Sequence, residues 1–366
     1  MEKQCIYYVA VLFVHHFTSS LAVPAKNLTT DQSALLQFKA HITSDPRRVL
    51  TYNWSISNPV CRWVGISCDA RHGRVTTLNL SSMDLGGTIP PHLGNLSFLV
   101  NLVLGDNNFH GHLPNELGQL CRLRGFSIGD NKIGGVVPTW IEIGKLTNLK
   151  IFHMARNHLS GTIPWSSMGN ISSLQSLSLT NNSLSGSLPD DVCNHLPNLE
   201  SLTLSLNGIS GQLPASLGDC SKLQILSLSY NKFTGHILQT VGNLSELILL
   251  YLNDNNLAGE IPREIDNLQG LQFLALGSNS LTAGLLPSRI FNISSLELIH
   301  LGNSGLFGSL PTDICNHLPA LRHLRLSRNM ISGTIPKNIN NCTSLEFLCL
   351  DENSLTGTIL ASVYVF

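Results

Sequence analysis

The stretch SLTLSLNGISGQLP (201–214) decides the fold, because close copies of it return along the chain at an almost constant interval. SLSLTNNSLSGSLP begins at Ser176, and ILSLSYNKFTGHIL begins at Ile225. Each copy fits the pattern L-x-x-L-x-L-x-x-N-x-L, followed by a glycine-containing segment. A pattern that recurs at such an interval predicts an architecture built from stacked, nearly identical units.

Twelve copies follow one another when the second leucine of the pattern is taken as an anchor, and the steps are 24 to 26 residues. The anchors are Leu78, Leu102, Phe126, Phe152, Leu177, Leu202, Leu226, Leu250, Leu274, Ile299, Leu324 and Leu348. This period and consensus are those of leucine-rich repeats. We number the copies repeats 1 to 12 and predict an α/β solenoid with a parallel, concave β-sheet. At about 4.8 Å per strand, the sheet is about 55 Å long.

Each part of the repeat has a predicted physical role. Leu202 and Leu204 alternate with outward residues, as in a short strand with one buried face. Asn207 follows, and we expect its amide to bond backbone groups where the chain leaves the strand, so that stacked copies form a ladder. Ten repeats have this residue: Asn107, Asn131, Asn157, Asn182, Asn207, Asn231, Asn255, Asn279, Asn329 and Asn353. Met83 and Ser304 replace it in repeats 1 and 10, where we expect a weaker ladder.

The N-terminus and the composition indicate export from the cell. Residues 1–25 contain Lys3, a short apolar run from Cys5 to Val14 and small residues before position 26, as in a secretory signal peptide. Charged residues make up 12 % of the 366 residues, and the net charge is −1. The chain therefore lacks the overall positive charge of a protein that binds nucleic acid electrostatically. Nine sequons are predicted glycosylation sites: Asn27, Asn53, Asn79, Asn95, Asn170, Asn181, Asn243, Asn292 and Asn341.

Residues 26–72 do not follow the repeat, and we interpret them as an N-terminal cap. Thr29 with Gln32 fits a capping box, and Leu35, Phe38 and Ile42 fall on one predicted helical face. In NWSISNPVCRWVGISC (53–68), the two cysteines are close enough to bridge. A cap that shields the first repeat needs such a bond, so we predict a Cys61–Cys68 disulfide. Residues 73–366 then form the repeats, the last of them incomplete.

The other cysteines predict two more disulfides. Cys193 and Cys220 are 27 residues apart, as are Cys315 and Cys342, and both pairs fall on the convex return of adjacent repeats. Buried free thiols are the alternative. Cys121 and Cys349 are left unpaired, with Cys349 expected on the concave side. No cysteine or histidine cluster has zinc spacing, so we predict no metal site and no cofactor.

The cap and the first repeats carry a specific resemblance. DQSALLQFKAHI (31–42), NWSISNPVCRWVGISC and SSMDLGGTIPPHLGNLSFL (81–99), with recurrent Gly-x-Ile/Leu-Pro segments, are similar to the N-terminal part of plant leucine-rich-repeat receptor-like serine/threonine kinases, in the subfamily that includes surveillance receptors. The resemblance covers essentially the whole chain. It implies a right-handed extracellular solenoid that binds a peptide or protein ligand and recruits a co-receptor with a smaller leucine-rich-repeat ectodomain.

The chain departs from that family at its C-terminal end. Family members continue through more repeats, a cysteine-containing cap, a membrane helix and a kinase, whereas this sequence stops at LTGTILASVYVF (355–366). It contains no glycine-rich nucleotide loop, VAIK, HRD or DFG. We therefore expect a secreted or extracellular chain, truncated before the membrane segment and without enzymatic activity. A full-length form is expected in the plasma membrane.

Outward positions of the repeats supply the candidate ligand-binding residues: His153, Arg156, Tyr230, Tyr251, Asp254, Phe273, His300, Arg322, His323, Arg325 and Arg328. The basic residues of repeat 11 predict a concave patch for a carboxylate or an acidic peptide, as in related peptide-hormone receptors. A solvated face with incidental charge is the alternative. Tyr230, Tyr251 and Phe273, expected on neighbouring strands, predict an aromatic interface patch.

The function predicted is ligand recognition in immune or developmental signalling, with a peptide or protein ligand and no nucleic acid. Two alternatives use the same repeats: a secreted inhibitor of a cell-wall hydrolase such as polygalacturonase, and a soluble decoy receptor. A catalytic set among the histidines is not indicated, because no nucleophile elbow, metal pair or phosphate loop accompanies them.

Overall fold

Twelve parallel strands, one from each repeat, lie side by side in a main sheet that lines the concave face. The computed structural model describes residues 27–138, 146–169, 171–282 and 284–358, so the predicted signal peptide and the Asn170 sequon lie outside the described residues. All twelve anchors are in register, from Leu78 beside Leu102 to Leu324 beside Leu348. The predicted solenoid is therefore confirmed, repeat by repeat.

Among the described residues, the main sheet has thirteen strands, because the cap adds one antiparallel strand to the twelve. In order, they are Ile66–Cys68, Val75–Asn79, Asn101–Val103, Gly125–Ser127, Ile151–His153, Ser176–Ser178, Ser201–Thr203, Ile225–Ser227, Leu249–Tyr251, Phe273–Ala275, Leu298–His300, His323–Arg325 and Phe347–Cys349. Most have only three residues, because the chain must turn immediately afterwards to complete its repeat.

A second row of short strands follows the turn in most repeats and forms three smaller sheets. They are Ile42–Ser44, Gly86–Thr88, Asn108–Gly111, Lys132–Val136, His158–Thr162 and Ser183–Ser185; then Ser210–Gln212, Lys232–His236 and Asn256–Ala258; then Phe307–Ser309, Met330–Thr334 and Ser354–Thr356. Gly211 has φ of +88° in this row, a left-handed conformation that glycine adopts without steric cost.

Short helices form the convex side. The 3-10 helices are Val60–Arg62 in the cap and, in the repeats, Pro91–Asn95, Asn115–Gln119, Ala215–Asp219, Gln239–Asn243, Arg263–Asn267, Ser288–Asn292 and Lys337–Asn341. The α-helices are Leu28–Ala40 and Val49–Asn53 in the cap, and Trp165–Met168 and Val192–His195 in the repeats. Proline precedes many of these turns because its fixed φ suits the start of a helix and it cannot extend a strand.

The predicted asparagine ladder is confirmed, and Asn231 is representative. Its amide donates to the carbonyl oxygens of Leu204 in the preceding repeat (3.0 Å) and of Leu228 and Ser229 in its own (3.0 and 3.2 Å). Its Oδ1 accepts from the amide of Ile209 at 3.0 Å. One buried side chain therefore bonds four backbone groups, two of them in the neighbouring repeat.

The ladder is adapted where asparagine is missing in repeat 10. The Ser304 side chain is buried, and its hydroxyl donates within its own repeat, to the Gly302 carbonyl oxygen at 3.2 Å. Asn329 of the next repeat compensates, because its Oδ1 accepts from both Ser304 and Leu306 backbone amides at 3.2 and 3.0 Å. The Met83 side chain of repeat 1 is partly buried against the core instead.

A second polar row, not predicted from the sequence, braces the opposite ends of the strands. Its members lie four residues before the anchor and donate to backbone carbonyl oxygens of the preceding repeat at 2.6 to 3.1 Å. They are Asn148, Ser173, Asn198, Ser295 and Ser344. In these five repeats, a side chain before the strand therefore ties it to the preceding repeat.

The cap differs from the prediction in where its helix begins and ends. Asn27, not Thr29, is the N-cap, and its reciprocal partner is Thr30. The helix stops at Ala40, so Ile42 packs from the strand Ile42–Ser44 instead of from the helical face. Asn27 already presents its side-chain oxygen to the first free helical amides, which leaves no capping role for Thr29.

Aromatic packing and a disulfide complete the cap. The rings of Trp54 and Trp63 are stacked with centroids 5.3 Å apart, and Phe38 lies 5.8 Å from Phe109 of repeat 2. Cys61 and Cys68 are disulfide-bonded. The cap therefore covers the first leucines with aromatic rings.

A buried ion pair joins the cap helix to the first repeat. Asp31 is fully buried and accepts from Arg74 Nε and Nη2 at 2.8 and 2.7 Å, and from the Val75 amide at 3.1 Å. These residues are 43 and 44 positions apart. The pair fixes how the helix sits on the first strand.

Two disulfides link successive repeats on the convex side. Cys193 is bonded to Cys220 and Cys315 to Cys342, with Cα atoms 5.1 and 4.9 Å apart. All four residues are buried. Cys121 and Cys349 are free; the first is exposed and the second is half-buried on the concave strand Phe347–Cys349.

We expect Asn231→Ala to lower the free energy of unfolding by about 3 kcal/mol, because backbone groups in two repeats lose their partner while staying buried. Urea unfolding followed by circular dichroism measures this. Asn267→Ala on the exposed convex side is the matched control and should change stability by less than about 0.5 kcal/mol. Equal effects of both substitutions would contradict the ladder's importance.

Asp31→Ala should destabilise the cap by about 3 to 5 kcal/mol, because it leaves the Arg74 guanidinium charged and buried. Tryptophan emission in urea should show earlier exposure of Trp54 and Trp63. The exposed Asp190→Ala is the control. An unchanged emission midpoint in Asp31→Ala would show that the pair does not hold the cap in place.

Candidate ligand-binding surface

Three positions on the concave side of repeats 9 and 10 carry no side chain or only a methyl group. They are Ala275, Gly277 and Gly302, and all three are buried. In register, Ala275 lies between Tyr251 on one strand and His300 on the other. We call this region the central bay. Its walls are the longer side chains of repeats 8 and 11, three strand steps or about 14 Å apart.

His300 lies low in the central bay beside the two glycines. A Cβ atom added to Gly277 would lie 2.8 Å from His300 Nε2 and 2.8 Å from the Gly302 carbonyl oxygen. A side chain at position 277 would collide with the imidazole, so Gly277 is what allows His300 to lie here. Burial lowers the pKa of His300, with a further lowering from the nearby Arg325 charge and an opposing effect of Asp254.

The repeat 8 wall carries the acidic side of the bay. Asp254 Oδ2 accepts from Asn253 Nδ2 at 2.7 Å, and Asn253 Oδ1 accepts from Ser229 Oγ at 2.6 Å. Tyr230 lies against the same carboxylate, whose charge and hydrogen bond, together with partial burial, raise the pKa of the phenol. Asp254 is thus held in place by a polar network that spans two repeats.

The predicted basic patch of repeat 11 is largely neutralised, which corrects the expectation from sequence. Arg322 pairs with Glu346 through Nε and Nη2, and Arg328 Nε lies 3.1 Å from Glu352 Oε1. Both carboxylates come from repeat 12, 24 residues along the chain, where sequence gives no sign of pairing.

Arg325 is the remaining cation of that group, exposed on the strand His323–Arg325 and without an acidic partner among the described residues. His323, on the same strand, is stacked on Phe347 with centroids 4.8 Å apart and lies 3.9 Å from Glu346. The basic wall of the bay is therefore one guanidinium rather than a cluster.

The expectation that three aromatic residues share neighbouring strands is also wrong in part. Tyr230 is the residue before its ladder asparagine and has φ of +55°, in the turn after its strand. Arg156, Asp254 and Arg328 occupy the same turn position in their repeats. Tyr251 and Phe273 do lie on adjacent strands, but Phe273 pairs with Leu249 and Tyr251 with Ala275.

An apolar stripe beside the bay was missed by the sequence reasoning. It consists of the residues just before the anchors of repeats 7 to 10, which lie in register across four strands and are half-buried: Ile225, Leu249, Phe273 and Leu298. The same position holds Ser176 and Ser201 in repeats 5 and 6. This change from serine to apolar residues is the sign of the stripe in the sequence. Of its four residues, the sequence-based prediction includes only Phe273.

The N-terminal candidates lie outside the bay. His153 Nε2 contacts Ser176 Oγ at 2.8 Å, and burial lowers the pKa of His153. Arg156 pairs with Asp130 of the preceding repeat at 3.1 Å. Neither side chain is brought together with the residues of repeats 8 to 11.

The sequons leave the central bay uncovered. Asn79 and Asn181 lie on or beside the concave strands of repeats 1 and 5, and no sequon falls on these positions in repeats 6 to 12. Asn95, Asn243, Asn292 and Asn341 each end a convex 3-10 helix. Asn27 is exposed before the cap helix, and Asn53 is half-buried.

Two classes of site are not found among the described residues. No group of three or more His, Cys, Asp or Glu side chains there is arranged to hold a metal ion. Within the same ranges, no helix is long and apolar enough to cross a membrane.

Family comparisons match the cap and the repeats separately. Residues 28–69 match the leucine rich repeat N-terminal domain. Residues 172–233 match one leucine rich repeat family model, and residues 74–96, 246–268 and 320–342 match another. The matches coincide with the cap and with stacked units of the main sheet.

Among curated proteins, a probable LRR receptor-like serine/threonine-protein kinase of Arabidopsis thaliana is 50 % identical over 80 residues. The match covers 22 % of this chain and 8 % of that relative. The chain thus aligns with a small part of the curated relative.

Solved structures match over far more of the chain. The PEPR1–AtPEP1 crystal structure has a TM-score of 0.79 at 32 % identity, covering 90 % of this chain and 46 % of the other. The Arabidopsis receptor kinase HAESA, in complex with the peptide hormone IDA and the co-receptor SERK1, has a TM-score of 0.67 at 30 % identity, covering 90 % and 62 %. With its cap and its stacked repeats, the chain is similar to the leucine-rich-repeat ectodomains of plant receptor kinases.

Proposed function

We propose that this chain is the extracellular ligand-recognition region of a plant receptor-like kinase and that it binds an extended peptide across the central bay. The observation that carries the proposal is the bay itself: a floor of Ala275, Gly277 and Gly302, bordered by an apolar stripe and free of sequons. A concave site with apolar lining and a few placed polar groups is the usual form of a binding site.

The charges at the two walls give the ligand a direction. Arg325 has no acidic partner among the residues that the structure describes, so its guanidinium suits a carboxylate of the ligand. Asp254 faces the other end and suits a donor group. Apolar side chains of the peptide lie on Leu249, Phe273 and Leu298. The peptide therefore runs along the solenoid axis, across strands of repeats 8 to 11.

The solved neighbours support a peptide ligand and a second receptor chain. PEPR1 was solved with AtPEP1, and HAESA with the peptide hormone IDA and the co-receptor SERK1. We propose for this chain a peptide ligand, a co-receptor with a smaller ectodomain and a role in immune or developmental signalling.

Phe273→Ser with Leu298→Ser should weaken peptide binding by about 30-fold or more, because two apolar contacts of the stripe are lost. Peptides are selected from a displayed random library on the wild-type chain, and their dissociation constants are measured by calorimetry. Ile151→Ser is the matched control, since Ile151 holds the same repeat position outside the bay and is 42 % exposed.

The selected peptides also decide between the bay and any other surface. Peptides that lose affinity on Arg325→Gln and on the double substitution, but not on Ile151→Ser, bind as proposed. Selected peptides that bind the double variant as tightly as the wild type would overturn the assignment of the site.

Stability should fall with acid because the bay is built around a neutral imidazole. The folded pKa of His300 is below the ordinary value of 6.5, so below pH 6.5 the unfolded chain binds more protons than the folded one. The contribution of the neutral His300 to the free energy of unfolding is complete above pH 6.5, and it is lost as the pH falls through the pKa of His300 in the folded chain.

His300→Gln should therefore make the loss of stability between pH 7 and pH 5 smaller, as measured by urea unfolding at both values. His153→Gln should act in the same direction, because burial also lowers the pKa of His153. The exposed His158→Gln is the control. An unchanged pH dependence in His300→Gln would contradict a neutral imidazole in the bay.

A further inference from the structure

We propose that the chain has a second binding site, for a linear polysaccharide that carries carboxylates, on a patch at the edge of the main sheet next to the cap. The patch consists of Arg71, His72, Arg122, Arg124 and Lys150, and we call it the edge patch. It lies in repeats 1 to 4, whereas the central bay lies in repeats 8 to 11. The proposal rests on the edge patch alone and does not depend on the peptide site.

Contacts around Phe98 bring the first part of the edge patch together. The guanidinium of Arg122 in repeat 3 lies 3.9 Å from the Phe98 ring centroid, and that of Arg74 in repeat 1 lies 4.6 Å from it. The His72 ring is 5.4 Å away. Stacking on an aromatic ring holds Arg122 in position while it stays exposed, so less side-chain entropy is lost when an anion binds.

Arg124 and Lys150 extend the patch across the next strand. They hold the same position in repeats 3 and 4, two residues before the anchors, and the Lys150 amide donates to the Arg124 carbonyl oxygen at 2.8 Å. Both side chains are exposed. From the turn that holds His72 to Lys150, the patch spans the strands of repeats 1 to 4, or about 15 Å. That length suits an extended polyanion better than a single small anion.

Within the part of the chain that the structure describes, Arg71, Arg122, Arg124 and Lys150 have no acidic partner. Asp69 is the carboxylate of the neighbouring turn, and it contacts His72 Nδ1 at 2.8 Å and the Arg74 amide at 2.9 Å. Partial desolvation opposes ionisation of Asp69, but these hydrogen bonds outweigh it and lower its pKa to about 2. This contrasts with Arg156, Arg322 and Arg328, each of which is paired with a carboxylate of an adjacent repeat.

A polysaccharide fits this surface better than a protein. Protein partners usually insert apolar anchors into pockets, and the Phe98 ring beside the edge patch is already flanked by two guanidinium groups. The predicted secretory signal peptide and the nine sequons favour a location outside the cell, where polyanions with regularly spaced carboxylates are polysaccharides. Binding then depends on charge and weakens with salt.

Binding to polygalacturonate, a linear polyuronate, tests the proposal. The exported chain is titrated with polygalacturonate at 50 and 200 mM salt, with fully methyl-esterified polygalacturonate as the uncharged control. We expect the wild type to bind only the charged form and to lose about tenfold in affinity or more over this salt range. Arg122→Gln, Arg124→Gln and Lys150→Gln together should weaken binding at 50 mM salt by about tenfold.

Two further variants test whether binding depends on the edge patch itself, and not on the net charge of the protein or on a loss of folding. Arg124→Gln with Lys150→Gln keeps the Arg122–Phe98 contact and should weaken binding by about fivefold. Arg156→Gln, Lys222→Gln and Arg263→Gln remove the same charge from exposed positions elsewhere and should leave binding unchanged. No binding by the wild type, equal binding of the esterified form, or equal losses in the two triple variants would overturn the proposal. Tighter binding of polyglutamate through the edge patch would overturn it in favour of an acidic protein.

Discussion

The buried asparagine ladder is the interaction on which the rest of the structure depends. Every repeat must turn sharply after a short strand, and the turn leaves backbone groups that no strand can pair. One amide such as that of Asn231 bonds three carbonyl oxygens and one backbone amide, in two repeats at once. The cost of burying these polar groups is thereby removed, and each repeat sets the position of the next.

The ladder also fixes which residues project from the concave face and which project from its edge. The residue before each ladder position has φ between 51° and 58° in all twelve repeats, so Tyr230, Asp254 and Arg328 project from turns at one edge of the sheet. The strand residues on either side of the anchor point to the concave face instead, with Phe273 in one row and His300 in the other. Residues that hold the same position in successive repeats therefore form rows on the surface. A change of residue type along such a row marks a boundary of a candidate site.

Interactions between repeats decide which charges remain available. Arg322 and Arg328 resemble members of a basic patch when repeat 11 is read alone, but repeat 12 supplies a carboxylate for each. The sequence does not show that the exposed Arg124 and Lys150 belong to one patch, because they are far apart in sequence from the cap turn that completes it. Phe98 connects the two, since residues of repeats 1 and 3 meet on its ring.

The sequence by itself determined the repeat number, the register, the ladder and the cysteine pairs that are bonded, because each depends on a spacing that recurs at a fixed interval. It also indicated the concave face, since outward strand positions follow from the alternation of leucines. Only the tertiary structure decided the Asp31–Arg74 pair, the small floor beneath His300 and the neutralisation of Arg322. The Asp31–Arg74 and Arg322–Glu346 pairs join residues 43 and 24 positions apart, and the floor combines residues of repeats 9 and 10. The geometry that brings these residues together exists only once the repeats are stacked.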